Sequence, residues 1–198
     1  NVGGVYLTGD TAGGQLVMQA GQDINLNAAL IANASQDGTT TLAAGQDINI
    51  GTVTTEYQQT LSSRSSSRRH SVTSSGSQEV GSVIQTTGDL NMVAGNALTV
   101  RGSSLTSDAG AINANADSIT IEAARSTENL SQYNRHSSSM GFMNITSTTR
   151  SERNEGTVDS SNLSAERINL ASNQDLNIIG SNVVATHDVN LSSAQGDV

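Results

Sequence analysis

The chain has 198 residues with 19 glycines and one phenylalanine, and it contains no tryptophan, proline, cysteine or lysine. Its formal net charge of −9 at pH 7 disfavours nucleic acid and anionic membrane surfaces as partners, because phosphate groups are bound by concentrated positive charge. No apolar run approaches the roughly 20 residues of a membrane-spanning helix, and no signal peptide is recognisable. The lack of cysteine is compatible with an oxidising exterior, although cysteine is rare in many other proteins too.

A short alternating segment recurs along the chain. The sequence QDINL at residues 22–26 returns as QDINI at 46–50 and as QDLNI at 174–178, with weaker copies at 96–100 and 117–121. Such alternation predicts strands, because successive side chains of a strand point to opposite faces. A strand that recurs at the length of one coil predicts an all-β solenoid, here of about six coils with three short strands each, after a partial coil over residues 1–21.

The apolar residues of this first strand are predicted to point inward as structural rungs that hold the coils in register. These rung residues are Ile24, Leu26, Ile48, Ile50, Leu98, Val100, Ile119, Ile121, Leu176 and Ile178.

Two stretches interrupt the pattern, at about residues 54–80 and 125–160, each after the first strand of a coil. Structureless loops of this length are uncommon in compact proteins, and flanks rich in Thr and Ser around a Ser- and Gly-containing middle favour two-stranded hairpin arms. Flexible low-complexity loops are the alternative. Stacked coils lie about 4.8 Å apart, so hairpins that leave from every second coil could tile into one four-stranded sheet.

The arms carry seven of the nine arginines and both His70 and His136, which makes them locally basic on an acidic body. Phe142 with its apolar neighbours is the one apolar cluster in an arm, and it serves either for packing within the molecule or for contact with a partner. The two histidines are solvated residues or, alternatively, a metal pair. The candidate partner contacts are Tyr57, Arg64, Arg68, Arg69, Tyr133, Arg135, Phe142 and Met143.

Two columns of polar residues are candidates for chemistry. Asp23, Asp47 and Asp175 share one turn position, where carboxylates could bind calcium or act as acid and base on polysaccharides. Ala97 and Ser118 interrupt this column, and Asp favours turns through its own hydrogen bonds. We therefore expect a turn role. Since no nucleophile elbow is present either, no catalytic residue, metal site or cofactor is predicted.

A column of asparagines alternates with the apolar residues and should face outward. An external amide ladder or a solvated face is the expected role, and a sugar-binding strip is the functional alternative. The column comprises Asn25, Asn49 and Asn177, with Asn169 and Asn190 at similar points.

The copies AGQDINL at 20–26 and AGQDINI at 44–50, and TGDLNMVAG at 87–95, resemble the haemagglutinin repeats of large Gram-negative exoproteins. These exoproteins are the filamentous haemagglutinins and the contact-dependent growth inhibition effectors of two-partner secretion. The resemblance covers nearly the whole chain and implies a right-handed parallel β-helix that is secreted through an outer-membrane partner and displayed on the cell surface. In growth inhibition effectors, the corresponding region is associated with toxin delivery across the envelope of a target cell.

We therefore expect residues 1–198 to be a single β-helix segment excised from a longer protein, non-enzymatic and used in adhesion or contact-dependent toxin delivery. The expected partners are a receptor, glycan or envelope component of a target cell and the outer-membrane transporter of the parent protein. No nucleic acid and no stable membrane span are expected. The alternatives are a carbohydrate-active β-helix enzyme, either hydrolase or lyase, and a trimer similar to phage tailspikes.

Overall fold

Strands and turns make up the part of the chain that the computed structural model describes, residues 4–9 and 12–198, and no helix occurs among these residues. The all-β prediction is therefore confirmed. The strands are β1 (Gly4–Leu7), β2 (Gln15–Ala20), β3 (Ile24–Asn27), β4 (Leu30–Asn33), β5 (Thr39–Ala44), β6 (Ile48–Gly51), β7 (Val53–Arg64), β8 (Arg68–Val80), β9 (Val83–Thr86), β10 (Leu90–Ala94), β11 (Ala97–Arg101), β12 (Ser104–Ser107), β13 (Ala111–Ala116), β14 (Ser118–Glu122), β15 (Ala124–Met140), β16 (Met143–Asp159), β17 (Asn162–Ser172), β18 (Leu176–Ile179) and β19 (Asn182–Ser193).

The chain divides into two compact units. The stacked unit comprises Asn1–Val53, Glu79–Ala124 and Val158–Val198, and the inserted unit comprises Thr54–Gln78 and Arg125–Thr157. Among the described residues there is no helix of the length and apolar character needed to cross a membrane.

The first ladder of the stacked unit joins one strand from each copy of the repeat. Its five strands lie in the order β18-β14-β11-β6-β3, and every neighbouring pair is parallel. Ile24 lies opposite Ile48, Ile48 opposite Leu98, and Leu98 opposite Ile119, which in turn faces Leu176. Identical positions of the repeat therefore stack on one another.

A ten-stranded parallel sheet contains the strands that follow in each repeat. Its order is β1-β4-β9-β12-β17-β13-β10-β5-β2, and β19 also pairs with β17. The two halves of this sheet are joined through β17, whose first part pairs with β12 and whose second part pairs with β13. These parallel ladders wind as in a β-helix. The predicted partial coil over residues 1–21 contributes β1 and β2, while residues 1–3, 10 and 11 lie outside the described residues.

The core of the stacked unit is a narrow column of aliphatic side chains. Nine of the ten rung residues are buried, and Ile178, in the last strand of its ladder, is partly buried. Leu90, Ile112 and Ile168 form a corresponding buried row in the second sheet. Full burial of one such side chain contributes roughly 1.5–3 kcal/mol to stability.

The inserted unit is a four-stranded sheet in the order β16-β15-β8-β7. Its two central strands are antiparallel, with Thr127 opposite Ser77 and Arg135 opposite Arg69. Both interruptions of the repeat therefore consist of strands rather than structureless loops, and strands from the two interruptions lie side by side.

Candidate functional site

The turn carboxylates bind backbone amides of the next copy of the repeat. Asp23 Oδ1 accepts a hydrogen bond from the Asp47 N–H at 3.1 Å, and Asp47 Oδ1 accepts from the Ala97 N–H at 3.0 Å. Asp175 Oδ1 accepts from the Asp197 N–H at 3.1 Å. This is the turn role that the sequence predicted. Among the described residues, no group of three or more His, Asp or Glu residues is placed to hold a metal ion.

The asparagine column predicted from sequence is wrong as a single column, because its members lie in two different ladders. Asn25 and Asn49 belong to the first ladder, where Asn49 Nδ2 donates to Asn25 Oδ1 at 2.9 Å. Asn169 and Asn190 lie in the other sheet. They continue a longer amide ladder, in which each side-chain N–H donates to the preceding carbonyl oxygen at 2.8–2.9 Å: Asn91, Asn113, Asn169 and Asn190.

A ladder of buried serines closes the corner between the first ladder and the second sheet, and the sequence analysis did not identify it. The Ser82 N–H donates to Ser103 Oγ at 3.1 Å, and the Ser103 N–H donates to Ser161 Oγ at 3.2 Å. The Ser82 hydroxyl in turn donates to the carbonyl oxygens of Leu26 at 3.0 Å and Gly51 at 2.9 Å. The available signal was a Ser preceded by Gly or Ser before four strands of the second sheet, β9, β12, β17 and β19: Gly81-Ser82, Gly102-Ser103, Ser160-Ser161 and Gly180-Ser181.

An ion-pair cluster in the stacked unit lies beside the residues at which the interruptions begin and end. Arg101 Nη1 donates to Thr52 Oγ1 at 2.8 Å and lies 3.5 Å from Glu79 Oε2, while Arg101 Nε lies 3.9 Å from Glu122 Oε1. The Thr52 hydroxyl also donates to Glu79. The Glu79 side chain is only 6% exposed. Because a buried carboxylate is costly unless it is paired, these partners stabilise its charge.

Charge is distributed very unevenly between the two units. The inserted unit carries seven arginines against four glutamates, whereas the stacked unit carries two arginines against fourteen acidic residues. The net charge of −9 is thus the sum of a basic inserted unit and a strongly acidic stacked unit. An argument from net charge alone does not describe the surface that the inserted unit presents.

Six basic side chains, which we call the basic cluster, converge at one end of the inserted sheet: Arg64, Arg68, Arg69, His70, Arg135 and His136. Arg64 ends β7 and Arg68 begins β8, so both flank the turn between these strands. The Ser137 N–H donates to the Ser67 carbonyl oxygen at 2.8 Å, which fixes β15 beside this turn. An open cavity of about 550 Å³ is lined by the four arginines and by Ser65, Ser66, Ser67 and Ser137.

No carboxylate in the described part of the chain neutralises the four arginines of the basic cluster. None of them forms an ion pair with any described residue, and Arg69 lies directly opposite Arg135 in the sheet. Like charges at directly opposite positions are destabilising. In the same unit, Arg150 and Arg153 do have carboxylate partners, Glu152 at 3.8 Å and Glu155 at 2.6 Å. The basic cluster is therefore a site of uncompensated positive charge.

Neither histidine lies directly opposite the other in the sheet, and the alternative metal pair stays a prediction. His70 Nδ1–H donates to Asn134 Oδ1 on the neighbouring strand, and His136 lies opposite Arg68. The position opposite each histidine is thus occupied by an amide or by another cation. Tyr133 lies partly buried beside the cluster, where it lines a smaller cavity together with Arg64 and Arg69.

The turn between β15 and β16 and the strand ends beside it carry exposed apolar side chains, which we call the apolar tip: Met140, Phe142, Met143 and Ile145. Their exposed fractions are 74%, 100%, 56% and 52%. Gly141 adopts a φ of 62°, which an L side chain rarely adopts, so this residue provides the tight turn. Phe142 does not pack within the inserted unit, because its side chain is fully exposed.

Tyr57 is the one predicted contact residue that lies apart from the others. Its hydroxyl lies over Gly76, where an added Cβ would approach the Tyr57 oxygen to 2.9 Å. Gly76 and Arg69 are seven positions apart on β8, which corresponds to about 23 Å along the strand. The contact with Gly76 therefore gives Tyr57 a packing role within the inserted unit.

The stacked parallel strands, the inward aliphatic rows and the outward amide ladders define the stacked unit as a β-helix-like repeat structure. The family model described as Hemagglutinin repeat matches residues 62–197, more than half of the chain. The chain belongs to this family, which confirms the resemblance seen in the repeats. The match includes the copy at 87–95, and the copies at 20–26 and 44–50 precede it. Comparisons with curated proteins and with solved structures found no significant match.

Proposed function

We propose that the chain is a non-enzymatic rod segment of a secreted exoprotein that is displayed on a bacterial surface and acts on contact with neighbouring cells. Its task is adhesion or the contact-dependent delivery of a toxin. The observation that carries this proposal is the in-register stacking of equivalent rung residues in a chain of the Hemagglutinin repeat family.

The proposed architecture is a right-handed parallel β-helix of about six coils, one segment of a longer protein, with hairpin arms at about 54–80 and 125–160. In such a stack each coil contacts only its neighbours, so stability is close to a sum of local terms. This arrangement tolerates insertions at a corner, provided that the corner hydrogen bonds are kept. The serine ladder supports that condition at both interruptions.

The inserted unit is proposed to supply the partner contacts. Seven of the eight predicted contact residues lie in the basic cluster, beside it or at the apolar tip: Arg64, Arg68, Arg69, Tyr133, Arg135, Phe142 and Met143. The proposed partners are a receptor, glycan or other envelope component of a target cell, and the outer-membrane transporter of a two-partner system for the parent protein.

The proposal is tested by measuring binding of the fluorescently labelled chain to panels of intact bacterial and host cells by flow cytometry. Saturable binding without release of sugar from added glycans is expected. Absence of binding to every cell type, or glycan cleavage that Asp47→Asn abolishes, would overturn it. Asp47 is the informative position because its carboxylate accepts hydrogen bonds from Asn96 and Ala97 in a turn.

Adhesion and toxin delivery are separated by an experiment on cells that display the full parent protein. Donor cells carrying the four-arginine variant (Arg64, Arg68, Arg69 and Arg135 each to Gln) are mixed with recipients. Attached recipients and surviving recipients are then counted separately. Loss of attachment alone indicates an adhesin, and loss of recipient killing indicates delivery.

A further inference from the structure

The apolar tip and the basic cluster lie at the same end of the inserted sheet, and the tip extends further. β15 reaches the level of the β7–β8 turn at Ser137, which is bonded to Ser67, and continues to Met140. The four residues from Ser137 to Gly141 span about 13 Å of extended chain. Four exposed apolar side chains thus project beyond a group of uncompensated cations.

We propose that this end of the inserted unit docks onto an anionic phospholipid bilayer. The apolar tip enters the interfacial layer, and the basic cluster binds headgroup phosphates. The inference rests on the proposed function, since it names the chemistry of the partner that the inserted unit contacts.

The lengths of the hairpin and of the bilayer interface agree. Apolar groups of interfacial proteins enter the bilayer by about 5–10 Å, and the headgroup layer on each side is roughly 5–7 Å thick. Cations that lie about 10–17 Å behind the tip are therefore level with the phosphates when the strands stand upright on the surface. Arg135, five positions before Met140, lies about 16–17 Å behind that residue.

A fluid bilayer fits the tip better than a folded receptor does. Stable protein interfaces bury about 800 Å² on each partner, whereas the tip offers four side chains on a single turn flanked by serine, threonine and asparagine. Insertion into lipid needs no complementary surface. Guanidinium groups also match phosphate geometry through paired hydrogen bonds, and the four arginines have no carboxylate among the described residues that competes for them.

The first measurement is co-sedimentation of the whole chain with vesicles of phosphatidylcholine alone and of phosphatidylcholine mixed with phosphatidylglycerol. Binding is expected only to the mixture and should weaken as salt is raised, because exposed charges are screened over about 10 Å at 0.1 M ionic strength. Each cation near an anionic membrane contributes about fivefold in affinity. The double variant Arg68→Gln, Arg69→Gln should therefore bind about 30-fold more weakly.

The matched control is Arg150→Gln, Arg153→Gln, which changes the net charge equally but removes arginines that already have carboxylate partners. Its affinity should stay within about threefold of the unsubstituted chain. For the tip, Phe142→Ser should weaken binding by about tenfold or more. Val17→Ser, at a strand residue with 61% exposure in the stacked unit, should leave the affinity unchanged.

Insertion itself is measured with Phe142→Trp, which introduces a single tryptophan into a chain that otherwise has none. The emission of this variant should shift to the blue on mixed vesicles and be quenched by brominated acyl chains. Circular dichroism of each variant verifies folding, and all the substituted side chains in the inserted unit are exposed.

The outcomes separate this inference from the proposed function. Failure to bind mixed vesicles, equal effects of the two arginine pairs, or an unshifted emission of the Phe142→Trp variant would overturn membrane docking. If the chain nevertheless binds cells and the variants bind them equally well, the partner is a receptor and the proposed function stands. Vesicle binding without any cell binding supports docking and contradicts the proposed function.

Discussion

The hydroxyl of Ser82 donates a hydrogen bond to the carbonyl oxygen of Gly51 at 2.9 Å, although the two residues are 31 positions apart. Between these two residues the chain leaves the stacked unit after Val53 and returns to it at Glu79. Ser161 makes the equivalent bond to the Glu122 carbonyl oxygen, at 2.7 Å, across the second interruption. The corner of the repeat is therefore closed by the same hydrogen bonds whether or not residues are inserted there.

Ser82→Ala should destabilise the stacked unit by about 1–3 kcal/mol. The substitution leaves the buried carbonyl oxygens of Leu26 and Gly51 and the Ala29 N–H without this hydroxyl partner, and an unmade buried hydrogen bond costs about this much. Urea unfolding followed by circular dichroism measures the difference in the free energy of unfolding.

The control is Ser181→Ala at the equivalent exposed corner. There the hydroxyl makes one hydrogen bond, to the Ile179 carbonyl oxygen, and a change below about 0.5 kcal/mol is expected. Equal effects at the two serines would contradict a structural role for the buried ladder.

The glycine of the AGQD repeat is explained by close stacking. A Cβ at Gly45 would collide with the carbonyl oxygen of Gly21, whereas a Cβ at Gly21 would meet nothing within 4 Å. Gly45→Ala should therefore destabilise the protein by about 1–3 kcal/mol through overpacking. Gly21→Ala should be neutral or stabilising by up to about 1 kcal/mol, because alanine reduces the entropy of the unfolded chain. Neither glycine has a positive φ, so backbone strain does not differ between the two variants. The difference between their thermal unfolding temperatures therefore measures the space available for the added Cβ.

The rows of rung residues were predictable because a strand repeat fixes both the direction of each side chain and its stacking partner. Ile24 and Ile48 occupy the same position of identical segments, so their pairing follows from the repeat. The convergence of Arg69 and Arg135 was not predictable in this way. These residues are 66 positions apart, and although each begins the tripeptide Arg-His-Ser, only the pairing of β8 with β15 brings them together.

The asparagines show why a local pattern was insufficient. Asn49 and Asn169 both follow an apolar residue and precede another, so alternation correctly places both of them on an outer surface. Alternation does not say which of the ladders a strand joins. That assignment depends on the position of the strand within its coil. The interruptions lengthen the sequence between equivalent strands, so this position cannot be read from a constant repeat length.

Truncation of a rung should cost more in the middle of the stack than at its end. Ile119 is fully buried between Leu98 and Leu176, and Ile119→Ala should lower the free energy of unfolding by about 2–5 kcal/mol. Ile178→Ala, at a partly buried residue of the last strand in the ladder, should cost less than about 1.5 kcal/mol. Urea denaturation measures both. A larger loss at Ile178 would show that stability does not come from nearest-neighbour stacking.

Arg101 and Glu79 should be energetically coupled, since the Glu79 side chain is almost completely buried and the guanidinium lies 3.5 Å from its carboxylate. In a double-mutant cycle with Arg101→Gln and Glu79→Gln, each single variant should lose about 1–3 kcal/mol, because it removes the ion pair between the guanidinium and this buried carboxylate. The loss in the double variant should be smaller than the sum of the two single losses by about 1–2 kcal/mol.

The control cycle uses Arg150 and Glu152, whose side chains are 70% and 61% exposed, and should give a coupling below about 0.5 kcal/mol. Chemical unfolding monitored by circular dichroism supplies the free energies of both cycles. If the two cycles give equal coupling energies, burial of Glu79 does not strengthen this ion pair, and the cluster at the start of the interruptions does not stabilise the corner.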